Sequence, residues 1–254
     1  MKYFKILLIT LFISNLGFSQ STEGVVNYTI THNWVKKLKP YNYLSKIKRE
    51  KYEYQYMSNA EWKMKTILYF NDSESRYIDS DEKTEIEEKY GFAGKKEKYE
   101  IRKNYKQKTQ NDVIELLGKV YLIEDSLTSQ SWKIKNDIKE VAGHICMNAV
   151  REDTLKMQKI TAWFALDIPI PAGPERNYGL PGLILEVDVN DGGMLIEATS
   201  ISFKKLTNEM DYPKKLKAKK INEDAFQTLT TNHIKDKKKA EEPLYYGFPY
   251  MHPY

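Results

Sequence analysis

The sequence predicts a mainly β protein of the α+β class, in which an antiparallel sheet carries one or two packed helices. Short stretches of strand-like alternation outnumber stretches with helical periodicity. Clusters of turn-forming residues separate many of these stretches, as they do in hairpins. Most intervals are too short for the helical crossovers that parallel strands need. A sheet of this kind that curves around a helix would form an open half-barrel.

The first 20 residues resemble a cleavable signal peptide. Lys2 and Lys5 precede an apolar stretch at residues 6–13, and residues 17–20 provide the small and polar end of a leader. An uncleaved membrane anchor is the alternative, but the apolar stretch falls short of the roughly 20 residues that cross a bilayer. We expect cleavage near Gln20 and a periplasmic protein without a membrane span, with secretion or outer-membrane association as variants of that location.

Residues 21–240 are expected to form one domain, followed at residues 241–254 by a tail rich in proline and aromatic residues. The single cysteine, Cys146, excludes an intrachain disulfide, and its apolar neighbours favour a buried thiol. Without the two leader lysines, 38 of the 40 basic residues remain against 35 acidic ones, a net charge of +3. The lysine clusters lack interleaved arginine and aromatic residues, so we expect solvated faces and no nucleic-acid partner.

Several stretches have the alternation or the β-branched and aromatic content of strands. They are residues 26–30, 63–70, 75–79, 120–123, 131–135, 145–150, 160–166, 183–189 and 194–203. The clearest is 183–189, where four apolar residues share one face and Glu186 and Asp188 share the other. We interpret that second face as the solvent side of the sheet, although paired acids can also serve acid–base chemistry.

Three other segments are less regular. Residues 44–57 fit either a helix or a strand, because both periodicities are present. Residues 80–110 have few apolar anchors, which predicts a long excursion with mobile parts. Asn222 fits a helix N-cap with apolar residues spaced as a hydrophobic staple around it, and the helix should run to about His233.

A proline cluster and a glycine-rich turn follow the stretch at 160–166. Repeated proline predicts a rigid loop with few hydrogen bonds at residues 169–174. Further on, Leu180 precedes proline and is pushed towards extended geometry, Pro181 suits the first central position of a type II turn, and Gly182 would supply the positive φ of the second. The segment is either a turn required for folding or a loop whose glycines let a ligand approach.

This region resembles the GLPGLI family of exported Bacteroidetes proteins, a Porphyromonas-type family with no established activity. The hexapeptide at 179–184 matches the family name, and residues 141–149 resemble its cysteine-containing strand with His144 in place of an aromatic residue. The resemblance is specific over residues 132–203 and thin elsewhere. It implies an exported protein linked to outer-membrane transport. The motif residues, structural or part of a binding loop, are Trp163, Pro169, Gly173, Pro174, Gly179, Leu180, Pro181, Gly182, Leu183 and Ile184.

The sequence contains no recognisable catalytic or metal-binding constellation. None of its four histidines lies three or four residues from another histidine or from the cysteine, so we expect no metal and no cofactor. His144 and Cys146 would share one face of a strand, which makes a thiolate–imidazole pair geometrically feasible. The sequence identifies no third group to orient that pair. A serine elbow, a P-loop and a dinucleotide fingerprint are all missing.

Three classes of function stay open on these grounds. The first is a periplasmic binding or accessory protein that holds a lipid, a peptide or a segment of an outer-membrane protein on the curved sheet. The second is an enzyme with an unrecognised active site. The third is a structural partner that docks through the aromatic side chains of the tail at residues 241–254.

Overall fold

The computed structural model describes residues 22–57, 61–82, 98–212 and 215–244. The strands are β1 (Gly24–Asn33), β2 (Glu61–Phe70), β3 (Glu74–Asp79), β4 (Tyr99–Asn104), β5 (Thr109–Leu116), β6 (Lys119–Ser126), β7 (Lys133–Val141), β8 (His144–Asp153), β9 (Gln158–Ala165), β10 (Leu183–Val189), β11 (Met194–Phe203) and β12 (Lys219–Ile221). The helices are α1 (Trp34–Leu38), α2 (Lys46–Met57) and α3 (Glu223–Lys239). The predicted leader at 1–20 and tail residues 245–254 lie outside the described residues.

All twelve strands of the described ranges form one sheet, in the order β12-β6-β5-β4-β3-β2-β1-β11-β10-β9-β8-β7. Neighbours are antiparallel except β12 and β6, which are parallel. The order contains two meanders, β1 to β6 and β7 to β11, and the long-range pair β1–β11 joins them. The sheet does not close, because β12 and β7 lie at its two edges. The predicted mainly β class with an open antiparallel sheet is confirmed.

The connection between β9 and β10, residues 166–182, packs on one face of the sheet, and we call it the central loop. Its apolar residues Ile168, Ile170, Ala172 and Leu180 belong to the main hydrophobic core together with side chains from most strands. Phe226 of α3 enters the same core and is fully buried. A second, smaller apolar cluster joins α1 and α2. The face on which a lipid was expected to lie is therefore occupied by the chain itself.

Contacts of the central loop require the sheet to curl. Arg176 bonds to Asp112 on β5, and its neighbour Asn177 bonds to Arg151 on β8. These strands stand eight positions apart in the sheet order, which would separate them by about 38 Å in a flat sheet. Adjacent Cα atoms are only about 3.8 Å apart, and two side chains cannot span the remainder. The sheet thus bends around the loop as the predicted open half-barrel.

The hexapeptide at 179–184 contains two glycines with different roles, and the predicted positive φ at Gly182 is wrong. The left-handed residue is Gly179, with φ of 86°. At Gly182 the constraint is space, because an added Cβ would lie 2.1 Å from the carbonyl oxygen of Ala165. Glycine is needed there because the start of β10 passes directly against the end of β9.

The expectation of a loop with few hydrogen bonds is also wrong. The amide of Leu183 donates to the carbonyl of Ile168 at 2.9 Å, and that of Ile184 donates to Ala172 at 2.9 Å. The Tyr28 hydroxyl on β1 donates to the Ile184 carbonyl at 2.6 Å. The end of the hexapeptide therefore fastens the beginning of the central loop and ties both to the middle of the sheet.

The predicted excursion at 80–110 is wrong in its second half, which forms β4 and the beginning of β5; residues 83–97 lie outside the described ranges. The apolar signal is weak there because charged residues occupy core positions. Lys103 on β4 is buried against Asp112 on β5, with its ammonium 2.6 and 2.7 Å from the two carboxylate oxygens. Such pairs are tolerated inside a protein only when charge and hydrogen bonds are both matched.

The two helix predictions have different outcomes. Residues 46–57 form α2, which resolves the ambiguity in favour of a helix. Asn222 caps α3 as predicted, since its side chain accepts from the amide of Ala225 at 3.0 Å. The helix runs to Lys239, six residues beyond the predicted end at His233, and its buried face continues through Ile234.

The hexapeptide makes a direct prediction for stability. Gly182→Ala should lower the free energy of unfolding by at least about 3 kcal/mol, because the methyl group overlaps backbone that cannot rotate away. Gly179→Ala is the control within the same turn, since its added Cβ meets nothing within 4 Å and only the left-handed φ is penalised, by about 1–2 kcal/mol. Urea denaturation measures both, and a larger effect at Gly179 would contradict the assignment.

Candidate functional site

The tip of the central loop carries Glu175 into the interior. Its carboxylate accepts hydrogen bonds from the Tyr99 hydroxyl at 2.5 Å and from the Tyr77 hydroxyl at 3.1 Å. All three side chains are buried. Glu175 adopts a left-handed backbone with φ of 58°, a conformation that a residue with a side chain seldom takes. Strain of this kind persists when surrounding contacts fix the residue, as the two tyrosines do here.

Arg176, the next residue, is held between the sheet and α3. Its Nε donates to Asp112 at 3.1 Å and its Nη2 to Glu223 at 2.5 Å. Burial opposes the charge, but Asp112 and Glu223 raise the pKa of the guanidinium above its ordinary value. Gln110 completes the group by donating to Glu223 at 2.9 Å. Arg176 is thus a cation paired with two carboxylates, and it fastens α3 to the loop.

Asn177 fastens the loop to the other half of the sheet. Its Oδ1 accepts from Nη2 of Arg151 at 2.8 Å. The Arg151 guanidinium lies over the indole of Trp132, 5.0 Å from the ring centroid. Its buried Nε has no hydrogen-bond partner among the residues that the structure describes. Burial is the main cause that lowers the pKa of Arg151 below its ordinary value.

A polar cavity of about 190 Å³ opens beside the loop tip. Strands β5 and β8 to β11, the segment after β6, the loop tip and α3 supply its walls. Its lining residues include Gln110, Gln130, Arg151, Asp153, Lys156, Gln158, Ile160, Arg176, Asn177, Val189, Met194 and Gln227. The cavity therefore combines cations, carboxylates and side-chain amides with a small apolar area, a composition typical of a site that orients a polar ligand.

Lys156 is the second incompletely neutralised cation of this cavity. It lies in the turn between β8 and β9, its side chain is 17% exposed, and its nearest carboxylate oxygen, on Asp153, is 3.6 Å away. Burial lowers the pKa of the ammonium to about 8. Asp153 acts in the opposite direction, whereas the nearby cations Arg176 and Arg151 add to the decrease. The positive charge of Lys156 therefore lies where water solvates it poorly.

The feasible pair of His144 and Cys146 does not form a reactive dyad. The imidazole Nδ1 lies 2.7 Å from Asp167 Oδ2, whereas the thiol donates to the carbonyl of His144 at 3.6 Å. Cys146 is fully buried, as predicted. Burial, followed by the charge of Asp167, raises the pKa of the thiol to about 11, which suppresses the thiolate at neutral pH.

Glu186 occupies the predicted outer face but is not solvent-exposed. It is 7% exposed and accepts from Nζ of Lys139 on edge strand β7, at 2.5 Å for each oxygen. The Lys139 ammonium also lies 4.5 Å from the ring centroid of Trp163. Trp163, one of the motif residues, therefore covers an ion pair between β7 and β10 and does not line the cavity. This arrangement offers no paired acids for catalysis.

The remaining motif residues shape the loop. Pro174, Gly173, Leu180, Leu183 and Ile184 are buried, whereas Pro169, Gly179 and Pro181 are exposed at its bends. Sequence reasoning missed the residues that reach into the interior, namely Glu175, Arg176, Asn177, Arg151, Lys156, Asp112 and Glu223. The sequence did contain a signal for three of them, because Glu175 to Asn177 form a run of polar residues inside a segment rich in proline and glycine.

Two further kinds of feature are missing from the part of the chain that the structure describes. These ranges contain no cluster of three or more His, Cys, Asp or Glu side chains placed to hold a metal ion. Within the same ranges, no helix is long and apolar enough to cross a bilayer.

A family model matches part of the chain. It describes a protein of unknown function, Porph_ging, and covers residues 148–186. This range holds most of β8, all of β9, the central loop and the beginning of β10. The resemblance to a Porphyromonas-type family is therefore supported over the segment that builds the loop, while the match does not confirm the GLPGLI name. Among curated proteins, none matches this sequence.

The fold of the chain is similar to part of PNGF-II, a protein of known structure. PNGF-II, solved in space groups P21 and C2, has a TM-score of 0.55 and 14% sequence identity in both, over 82% of this chain. The match covers 33% and 32% of the PNGF-II chains, so this chain spans about a third of that protein's length. An uncharacterized conserved protein from Thermus thermophilus has a TM-score of 0.39 and 8% identity, over 85% of this chain and 99% of that one.

The pKa of Lys156 predicts how stability depends on pH. Between about 8, its value in the folded protein, and 10.5, its ordinary value, the unfolded chain binds more protons. The contribution of this lysine to the free energy of unfolding is therefore lowest below pH 8 and rises towards pH 10.5. Lys156→Met should raise the free energy of unfolding at pH 7 by about 1 kcal/mol or more and remove the contribution of this lysine to the rise, as urea denaturation of the variant and the unaltered protein across this range would show.

The matched control is Lys159→Met on β9, because the Lys159 side chain is 59% exposed. This variant should change the free energy of unfolding by less than about 0.5 kcal/mol at every pH. Comparing each variant with the unaltered protein at the same pH removes the contribution of the buried tyrosines, which also titrate in alkaline solution. A loss of stability at pH 7 in Lys156→Met would contradict the account of a poorly compensated cation.

Proposed function

We propose that the chain is an exported binding or accessory protein that holds a small polar ligand or the end of a peptide in the cavity beside the central loop. The observation that carries the proposal is the pair of cations, Arg151 and Lys156, kept in a partly enclosed space with incomplete pairing. Side chains kept at a cost to stability are typical of functional sites.

The cavity narrows the range of ligands considered from the sequence. A lipid would need an open apolar face, and the central loop together with Phe226 occupies that face. A peptide end suits the lining better, because the side-chain amide of Gln158 can pair with peptide N–H and C=O groups. The proposal therefore keeps binding as the function and moves the site from the open sheet to the cavity.

The proposed location is the periplasm, with release from the cell or attachment to the outer membrane as variants. It rests on the leader-like residues 1–20 and on the likeness of residues 148–186 to a Porphyromonas-type family. A role beside an outer-membrane transport system belongs to the same proposal. The enzyme alternative no longer has a candidate nucleophile, because the Cys146 thiol is buried and protonated at neutral pH.

The proposal is tested by producing the full chain with its own leader and recovering it from the periplasmic fraction. Denaturing mass spectrometry should give a mature protein that begins near Ser21. Native mass spectrometry should reveal a bound molecule of less than roughly 500 Da that is released on denaturation. An uncleaved chain would contradict the location, and a periplasmic protein with no bound molecule would contradict the binding role.

Blocking the cavity tests the site itself. Gln158→Trp on β9 should fill the space and abolish the bound mass, because the Gln158 side chain lines the cavity. Lys159→Trp is the matched control, since the adjacent strand residue points to the opposite face and its side chain is exposed. Retention of the ligand by Gln158→Trp, in a variant with an unchanged circular dichroism spectrum, would place the site elsewhere.

A further inference from the structure

We propose that the cavity recognises a carboxylate carried next to an apolar group, as in an N-acylated amino acid or the C-terminal residue of a peptide. Arg151 and Lys156 would hold the carboxylate, and Ile160, Val189 and Met194 would contact the apolar group. This inference rests on the proposed binding function and adds the chemistry of the ligand.

The sheet register places these groups in one row. Arg151 on β8 pairs with Ile160 on β9, Ile160 pairs with Val189 on β10, and Val189 pairs with Met194 on β11. Directly paired residues project from the same face of a sheet, so the four side chains form a line across the strands. Neighbouring strands lie about 4.8 Å apart, and the line therefore changes from cationic to apolar within one strand spacing.

Arg151 is the cation with capacity left for a ligand. Its Nη2 is bound to Asn177 and its Nε is buried without a partner in the described part of the chain, so the guanidinium as a whole uses only part of its hydrogen-bonding capacity. Stacking on Trp132 fixes the plane of the group without using a donor. A planar, partly unused guanidinium matches the two oxygens of a carboxylate, which it can bind through parallel hydrogen bonds.

The other charges around the cavity leave Lys156 as the second anchor. Arg176 is already bound to Asp112 and Glu223. Glu175 accepts from two tyrosine hydroxyls. Asp153 lies 3.6 Å from Lys156, a distance too long for a good hydrogen bond, so the ammonium is underused. The lowered pKa of Lys156 shows that no neighbouring anion fully offsets the burial of its ammonium group. A bound carboxylate would favour the charged form.

Size limits the ligand. A cavity of about 190 Å³ lies below the roughly 300–1,000 Å³ typical of sites for drug-sized molecules, which favours one amino-acid residue. In such a residue the carboxylate and a branched apolar side chain are separated by about the spacing of adjacent strands. Gln158 lies at the beginning of β9, two residues before Ile160, where its amide can bind the acyl or peptide group.

Isothermal titration of the full mature protein, freed of any bound molecule by dialysis, tests this chemistry with a matched pair of probes. N-acetylleucine carries the carboxylate, and N-acetylleucinamide has the same shape without the charge. We expect the acid to bind at least tenfold more tightly than the amide. Inorganic phosphate, which lacks an apolar part, should also bind at least tenfold more weakly than the acid. A peptide ending in Ala-Ala-Leu distinguishes the two sources of the carboxylate. If it binds more tightly than N-acetylleucine, the ligand is a peptide end, and if it binds equally well, the ligand is a single residue.

Substitutions test which side chains of the cavity bind the carboxylate. Arg151→Met and Lys156→Met should each weaken N-acetylleucine at least tenfold and leave the amide nearly unchanged, whereas Lys159→Met should alter neither. Two separate variants keep the test decisive if one of them folds poorly. Equal affinity for acid and amide, or for acid and phosphate, would overturn the proposed chemistry while leaving a binding function in place. No binding of any probe, together with a periplasmic protein that carries no bound molecule, would contradict both proposals.

Discussion

Three consecutive residues at the tip of the central loop hold strands together that are far apart in the sheet order. Glu175 bonds to β3 and β4, Arg176 to β5 and α3, and Asn177 to β8. Because β5 and β8 stand eight positions apart, these bonds exist only if the sheet curls around the loop. The curvature, the buried polar network and the cavity all depend on this constraint.

The hexapeptide at 179–184 makes such a loop feasible. Gly182 lets β10 start in contact with the end of β9, and the amides of Leu183 and Ile184 bind the first half of the loop. The loop is therefore a closed unit whose base is fixed by backbone contacts and whose tip carries the charges. The cavity lies where this unit leaves space against β8 to β11, and its incompletely paired cations give that space a chemical preference.

The sequence was informative where burial follows the periodicity of apolar residues. The strands predicted at 63–70, 75–79 and 183–189 and the cap at Asn222 each have a local cause, so their positions could be predicted. The half-barrel was predicted in outline, because many short strands and few helices leave little choice. The family resemblance covers the segment that forms the central loop, and most of the motif residues lie in that loop or at its end, whereas Trp163 lies on β9.

The rest depended on contacts between distant parts of the chain. Lys103 on β4 sits at a core position because Asp112 on β5 neutralises it, and no single-strand pattern reveals such a pair. The close approach at Gly182 is likewise visible only when Ala165 is placed beside it. The cavity joins Arg151 and Lys156 to residues of α3 about 70 positions later, so local spacing could not assemble it.

The central claim is that the loop is a fixed part of the core and not a mobile cover over an open sheet. Hydrogen exchange of the amides of Gly179, Leu183 and Ile184, resolved by NMR, tests it most directly, because each donates to a carbonyl of the loop. The account predicts that these amides exchange as slowly as those in the middle of β10. Exchange as fast as at the exposed turn of Leu117 and Gly118 would contradict it.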